Sequence, residues 1–338
     1  MSTEPTMTGA GVAAALLAPP ADAAPPAPTV ASVDLSAALA GLVSAADAGR
    51  ALVETLPCGL ALLDDTAGGL VRGESCGLAA APGTGKSTLA DRLALNALRK
   101  TPGTRALIVN LETATPIRAA RLLAGDSVLL GTAGEITRCI PLGALERGTL
   151  REPGQALVRE HAARLAAEVG GRLTFVDSVY DPRRLADLIR ERRPDVLVLD
   201  HCGLLASDIA SAVEAMDFAL HEIAGALREA NAAGILIAEL SKAALAGGSS
   251  DVGAVRGSAR FASLAGQLLT IRRSDDDALD TSDRAPQSLR LELRKNRHGR
   301  GMLAQDAQLF GGLAHWHFDP CVTPLERTAP NKGRACGD

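Results

Sequence analysis

Apolar and polar positions follow two periods along this chain. From residue 57 on, short continuous apolar runs are separated by stretches with helical spacing. The runs "SCGLAAA" (75–81), "ALIVNLE" (106–112), "RLTFVD" (172–177), "DVLVLD" (195–200), "GILIAEL" (234–240), "GQLLTIRR" (266–273) and "LRLELRKN" (289–296) predict strands. Unbroken apolar runs of this length suit strands covered on both faces. Residues 88–100, 155–170, 183–192 and 212–232 predict helices between them. Strands alternating with helices predict an α/β fold with a mostly parallel twisted sheet flanked by helices. The Gly-, Ser- and Asp-rich stretches 245–258 and 274–287 predict loops.

The first part of the chain reads differently. Residues 1–31 are mostly Ala, Pro, Thr and Gly, too poor in large apolar side chains to offset the entropy of ordering, and are expected to be a disordered tail. In 32–54, Val33, Leu35, Leu39, Leu42, Val43 and Ala46 approximate helical spacing and predict an amphipathic helix. The main domain is expected over 55–322, with a flexible tail over 323–338.

Composition narrows the classes. The chain has 338 residues, 47% of them hydrophobic, enough for a large core. No apolar run approaches the roughly 20 residues that span a bilayer. The first basic residue is Arg50, so the N-terminal apolar stretch lacks the basic region of a secretory signal, and a cytoplasmic location is expected. The net charge of −4 comes from the first 49 residues, and the remainder carries 35 basic against 35 acidic residues. Any nucleic-acid binding would therefore need a local basic surface. The six cysteines form no CxxC pair, which suggests neither a zinc site nor a disulfide framework. His315 and His317 have no apparent third ligand for a metal.

The candidate chemistry begins at "AAPGTGKS", Ala80–Ser87, between a predicted strand and helix. This is the Walker A pattern, with Ala80 in the first position. Backbone N–H groups of such a loop and of the following helix N-terminus form a nest for phosphates. Gly83 and Gly85 permit the torsions the loop needs. Lys86 would reach the terminal phosphates and Ser87 would ligate Mg²⁺. Pro82, Thr84 and Thr88 complete the expected ATP-binding set. "VLVLD" reads as a Walker B strand ending in Asp200, the second expected Mg²⁺ ligand. No acid follows Asp200, so the base that activates water must come from elsewhere. Glu112, at the end of "LIVNLE", is the candidate, because ligands of open α/β sheets bind at the carboxyl ends of strands.

Several segments, in order, resemble the ATPase domain of DnaB-type replicative helicases, a RecA-like P-loop NTPase core. They are "LPCGLALLDDTAGGLVRGESCGLAAAPGTGKSTLADRLALNAL", "NLETATPIRAARLLA", "DVLVLDHCGLL", "ILIAELSK" and "RKNRHGRG", from about residue 55 to 320. The resemblance implies ATP and Mg²⁺ as cofactors and Glu112 as the base. It puts Lys242 where a γ-phosphate-sensing Gln is expected. It makes Arg297, helped by Lys295, a finger that reaches a neighbour's ATP in a homo-oligomeric, typically hexameric, ring. It places "AVRGSARFASLAGQLLTIRR" where a loop lines the central channel, so Arg256, Gly257, Ser258 and Arg260 would contact single-stranded DNA through guanidinium and backbone N–H groups. The helix of 32–54 matches the family's linker helix. The family's N-terminal collar domain has no counterpart ahead of residue 55, so coupling to primase is not expected. His201-Cys202-Gly203 replaces an aromatic segment. The function implied is an ATP-driven translocase that unwinds DNA in replication. Two alternatives stand beside it: a RadA-like or KaiC-like ATPase of recombination or regulation, and an ATP-gated DNA clamp or loader without unwinding.

Overall fold

In the computed structural model the described residues are 34–130, 136–206, 209, 211–240, 259–273 and 286–325. They fall into two units, one ending at Leu52 and one starting at Val53. In the first, α1 spans Leu35–Asp47, inside the stretch expected to be helical. Asp34 caps it by accepting from the Ala37 N–H at 2.9 Å. Leu35, Leu39, Leu42 and Val43 are exposed along it.

The second unit is built on one large sheet. Its elements in chain order are β1 (Thr55–Leu56), α2 (Ala61–Ala67), β2 (Leu70–Val71), β3 (Ser75–Ala80), α3 (Lys86–Lys100), β4 (Ala106–Asn110) and α4 (Thr115–Asp126). Then come β5 (Leu129–Leu130), β6 (Ile136–Arg138), α5 (Leu142–Glu146), α6 (Gly154–Val169), β7 (Leu173–Asp177), α7 (Pro182–Arg192) and β8 (Val196–Asp200). Last are α8 (Ala212–Ala230), β9 (Ala233–Glu239), α9 (Ala259–Leu264), β10 (Gln267–Arg273), β11 (Gln287–Asn296), β12 (Leu303–Phe310) and β13 (His315–Pro324). Nine strands form the sheet in the order β13-β12-β11-β10-β3-β9-β8-β4-β7. The six strands from β10 to β7 are parallel, and β11, β12 and β13 continue as an antiparallel meander.

The central strands are buried on both faces because successive side chains point to opposite sides. Ile108, Val196 and Val198 join Leu89 and Leu93 of α3 in one core. Leu107, Val109, Leu197 and Leu199 join Leu185 and Ile189 of α7 and Ile223 and Leu227 of α8 in the other.

Several boundaries differ from the sequence reading, and the helix expected over 32–54 ends at Asp47. The strand expected over 106–112 ends at Asn110, so Glu112 lies in the following loop. The edge strand β13 runs to Pro324, past the expected end of the domain. The loop expected over 274–287 yields to β11 from Gln287.

A buried carboxylate fastens the helices on the α3 face. Asp126, its side chain 4% exposed, meets Arg99 at 2.6 Å, Arg164 at 2.8 Å and Arg92 at 3.7 Å. Burial alone would raise its pKa, but the Arg99 hydrogen bond and the three nearby charges outweigh that and hold it below the ordinary value. Its stabilisation is therefore present above the unfolded carboxylate pKa of about 3.9 and is lost as pH falls through the folded value. Asp126→Asn is expected to cost about 3 kcal/mol at neutral pH. Its stability should also fall less steeply than wild type below about pH 4. Urea melts of both proteins at several pH values check this.

Candidate nucleotide site

The site forms where β3 ends and α3 begins. Five residues, 81–85, turn the chain between them. Gly83 (φ +74°) and Gly85 (φ +75°) take left-handed backbone that other residues rarely adopt. A Cβ on Gly83 would meet open space. One on Gly85 would lie 2.6 Å from Leu309 Cδ2 and 3.1 Å from Trp316 Cζ2, so the loop rests directly on the antiparallel meander. Thr84, buried, donates from its hydroxyl to the Ala81 carbonyl at 2.8 Å and closes the turn. The Lys86 ammonium folds back on the same loop, donating to the Ala81 carbonyl at 2.8 Å and the Ala80 carbonyl at 3.2 Å. Burial pushes its pKa below the ordinary lysine value, against the pull of Glu239, Asp200 and Glu112. An anionic ligand would relieve that burial.

Three carboxylates face the loop from the carboxyl ends of neighbouring strands. Asp200 ends β8, Glu239 ends β9, and Glu112 follows β4 by two residues. The Glu112 loop is fixed by its backbone. The Leu111 N–H donates to the Asp200 carbonyl at 2.9 Å, and the Tyr180 hydroxyl donates to the Leu111 carbonyl at 3.1 Å. Beyond it, Asp177 accepts from Asn110 at 2.8 Å and from the Thr115 hydroxyl at 2.7 Å, which anchors the start of α4. The Glu112 side chain itself is 62% exposed. His201 Nε2 lies 4.0 Å from Glu112 Oε2. His201 Nδ1 accepts from the Gly203 N–H at 3.1 Å, so the neutral ring carries its proton on Nε2, toward Glu112.

Pro82, Gly83, Gly85, Lys86, Ser87, Thr88, Glu112 and Asp200 thus line a single cleft of about 400 Å³, with Ala80 and Thr84 buried beneath the loop. Among the described residues, no three His, Cys, Asp or Glu side chains are placed to hold a metal by themselves. The donor set does fit Mg²⁺ bound together with nucleotide phosphates: a hydroxyl (Ser87), a carboxylate (Asp200), an ammonium and a nest of N–H groups.

The sequence reading missed Glu239 and Arg121, which line the same cleft. Glu239 ends an apolar run just as Asp200 does, so its signal was present. Arg121 lies 3.7 Å from Glu146 of α5, a contact no local pattern reveals. Gln287, Leu309, Gly311 and Ala314 close the far wall from β11, β12 and the turn after β12.

Lys242, Arg256, Gly257 and Ser258 fall outside the described residues. Arg260, at the start of α9, has its Nε 3.0 Å from Asp217 of α8. Lys295 and Arg297 sit at the opposite end of the sheet from the phosphate loop. Gln267 of β10 pairs with both Cys76 of β3 and Asn296 of β11, whereas Ile271 pairs with Ala80 and Leu291. Four residues of strand separate the two levels, about 13 Å. Arg297 Nη2 donates to the Ser263 carbonyl at 2.7 Å, and Lys295 Nζ donates to Ala262 at 2.9 Å and Ser263 at 2.8 Å, at the carboxyl end of α9. Burial and the adjacent Arg297 charge push the Lys295 pKa below its ordinary value.

No protein-family model matches the chain, and no curated protein sequence matches it. Solved structures do match. One, an ATPase domain solved by itself, aligns with a TM-score of 0.67 at 16% identity, over 88% of this chain and 100% of that one. A DnaB-like replicative helicase, solved for its interactions with primase, gives 0.63 at 16% identity, over 85% of this chain and 67% of that one. The KaiC-like protein PH0186 from Pyrococcus horikoshii OT3 gives 0.51 at 17% identity, over 79% and 100%. The chain therefore has the RecA-like fold of DnaB-type ATPase domains: a nine-stranded, mostly parallel sheet flanked by helices. Among the described residues no helix is long and apolar enough to cross a membrane.

Proposed function

We propose that this protein is an ATP-dependent DNA helicase of the DnaB type. In this reading it works as a homo-oligomeric ring on single-stranded DNA and hydrolyses ATP with Mg²⁺ at subunit interfaces. The observation that carries the reading is the division of the site. Lys86, Ser87, Glu112 and Asp200 converge on one cleft, while Arg297 lies at the far end of the same sheet. An arginine so placed is too far to serve its own chain's nucleotide, and in this reading it serves a neighbour's, which makes turnover depend on assembly.

The residue roles follow from position. Lys86 and the loop N–H groups hold the phosphates. Ser87 and Asp200 hold Mg²⁺, which when bound neutralises charge on the phosphates. Glu112 takes the proton of the attacking water. Lys242 senses the γ-phosphate. Arg256, Gly257, Ser258 and Arg260 contact the strand. The fold likeness to a KaiC-like protein supports a second reading, a RecA-superfamily ATPase that does not unwind.

The test is strand separation on a forked duplex with ATP and Mg²⁺, with Lys86→Ala beside wild type. The helicase reading expects unwinding by wild type and none by Lys86→Ala, which loses its phosphate contact. DNA-stimulated hydrolysis without strand separation would favour the second reading. No hydrolysis by wild type would sink both.

A further inference from the structure

One buried cation has no role in the reading above. Arg118, on α4, is 1% exposed, the largest side chain among those fully buried. Its Nε donates to the Asp91 carboxylate at 2.9 Å and 3.1 Å, and its Nη2 donates to Asp91 Oδ1 at 2.7 Å. Its remaining arm, Nη1, donates to Asp200 Oδ2 at 2.8 Å. Asp91 lies on α3, five residues after Lys86, and is itself 4% exposed; Asp200 is 2% exposed. A single planar guanidinium thus bridges the helix that carries the phosphate loop and the aspartate that ends β8.

The arrangement is asymmetric in a way simple charge balance does not require. Asp91 takes two edges of the fork, which fixes the plane and direction of the guanidinium. Asp200 receives one N–H, on one of its two oxygens. Its other oxygen has no donor from Arg118, and Asp200 lines the cleft. A carboxylate oriented by a charged donor behind it presents a fixed face in front of it, and such outer partners set the affinity of the group they orient.

We propose that Arg118, aimed by Asp91, is a positioning residue for Asp200: it holds Oδ2 and so turns the other carboxylate oxygen to the cleft for a divalent cation bound with nucleotide. The inference rests on the nucleotide-site reading and deepens it by adding a second layer to the cation's protein ligand. It also accounts for a burial pattern that is otherwise costly. The site without cation would bury the Asp200 charge with no partner, and Arg118 supplies one.

Arg118→Lys is the variant that separates positioning from charge. It keeps the cation, but an ammonium cannot serve Asp91 and Asp200 with one rigid fork. Two quantities are measured on the full chain. One is the Mg²⁺ concentration that gives half of the Mg²⁺-dependent thermal stabilisation in the presence of ADP. The other is the affinity for ATP in EDTA. The proposal expects the half-saturating Mg²⁺ to rise about 10- to 100-fold in Arg118→Lys, with the EDTA affinity unchanged. Asp91→Asn, which keeps the shape and removes the aiming charge, should shift the same quantity in the same direction by less. If Arg118→Lys does not fold, Asp91→Asn carries the test. Wild-type Mg²⁺ dependence in a folded Arg118→Lys, or in Asp91→Asn when that is the variant available, overturns the positioning role alone. A wild-type protein that shows no Mg²⁺ response with ADP overturns the nucleotide-site reading and the positioning role with it.

Discussion

Replacing Glu112 with glutamine is expected to lower ATP turnover by about 10²- to 10⁴-fold and to leave ATP binding intact. Glutamine keeps the size of the side chain and its reach into the cleft but cannot accept the proton of the attacking water. The structure gives little reason for collateral damage. The Glu112 side chain is mostly exposed, and its loop is held by the backbone groups of Leu111, which the substitution leaves alone. In the proposed reading the phosphate contacts belong to Lys86 and the 81–85 loop, so nucleotide affinity should survive. Steady-state hydrolysis measured beside equilibrium binding of ATP separates the two. Full turnover in Glu112→Gln would remove Glu112 as the base, and Glu239, a carboxylate at the strand ends of the cleft that is not assigned to the cation, would be tested next.

Arg297→Ala should abolish hydrolysis by a different route. A finger contributed across an interface accounts for about 10³- to 10⁵-fold in rate in enzymes that use one. Within one chain Arg297 stands level with the start of the parallel strands, and the phosphate loop stands at their end. The variant's own cleft is therefore complete, and ATP binding should be normal. Mixed with wild type, it should poison assemblies, because each variant subunit deprives one neighbour. Turnover should then fall in proportion to the wild-type fraction if each variant silences only its neighbour's cleft, and faster if the clefts of an assembly fire in concert. Normal turnover in pure Arg297→Ala would remove the finger assignment.

Much of this was readable beforehand because the signals are local. A nucleotide loop is written in eight consecutive residues, and an apolar strand ending in an acid in six. The parallel core follows from runs too apolar to face water on either side. Apart from Glu239, whose signal is as local as that of Asp200, what was missed is non-local. Asp91 lies on a helix the sequence does predict and Arg118 on one it does not, and only the crossing of α3 and α4 shows that their charges point inward. The far wall of the cleft comes from β12 and the turn after it, some 220 residues beyond the loop they support. The strand β12, "LAQDAQLF", has three polar residues among its eight and lies toward the edge of the sheet, so it gives a weak pattern. Arg121 of α4 lies nine residues beyond Glu112 of the preceding loop, yet only the fold turns both toward one volume.

The contact beneath Gly85 has an experimental use. Trp316 is the only tryptophan in the chain, and its ring lies against the residue that starts the phosphate-binding helix. Its indole is 2% exposed, and its Nε1 has no hydrogen-bond partner among the described residues. The intrinsic emission of this protein therefore comes from one point, directly under the loop. Spectroscopists ordinarily engineer such a probe by deleting competing tryptophans; here the unlabelled chain already carries it.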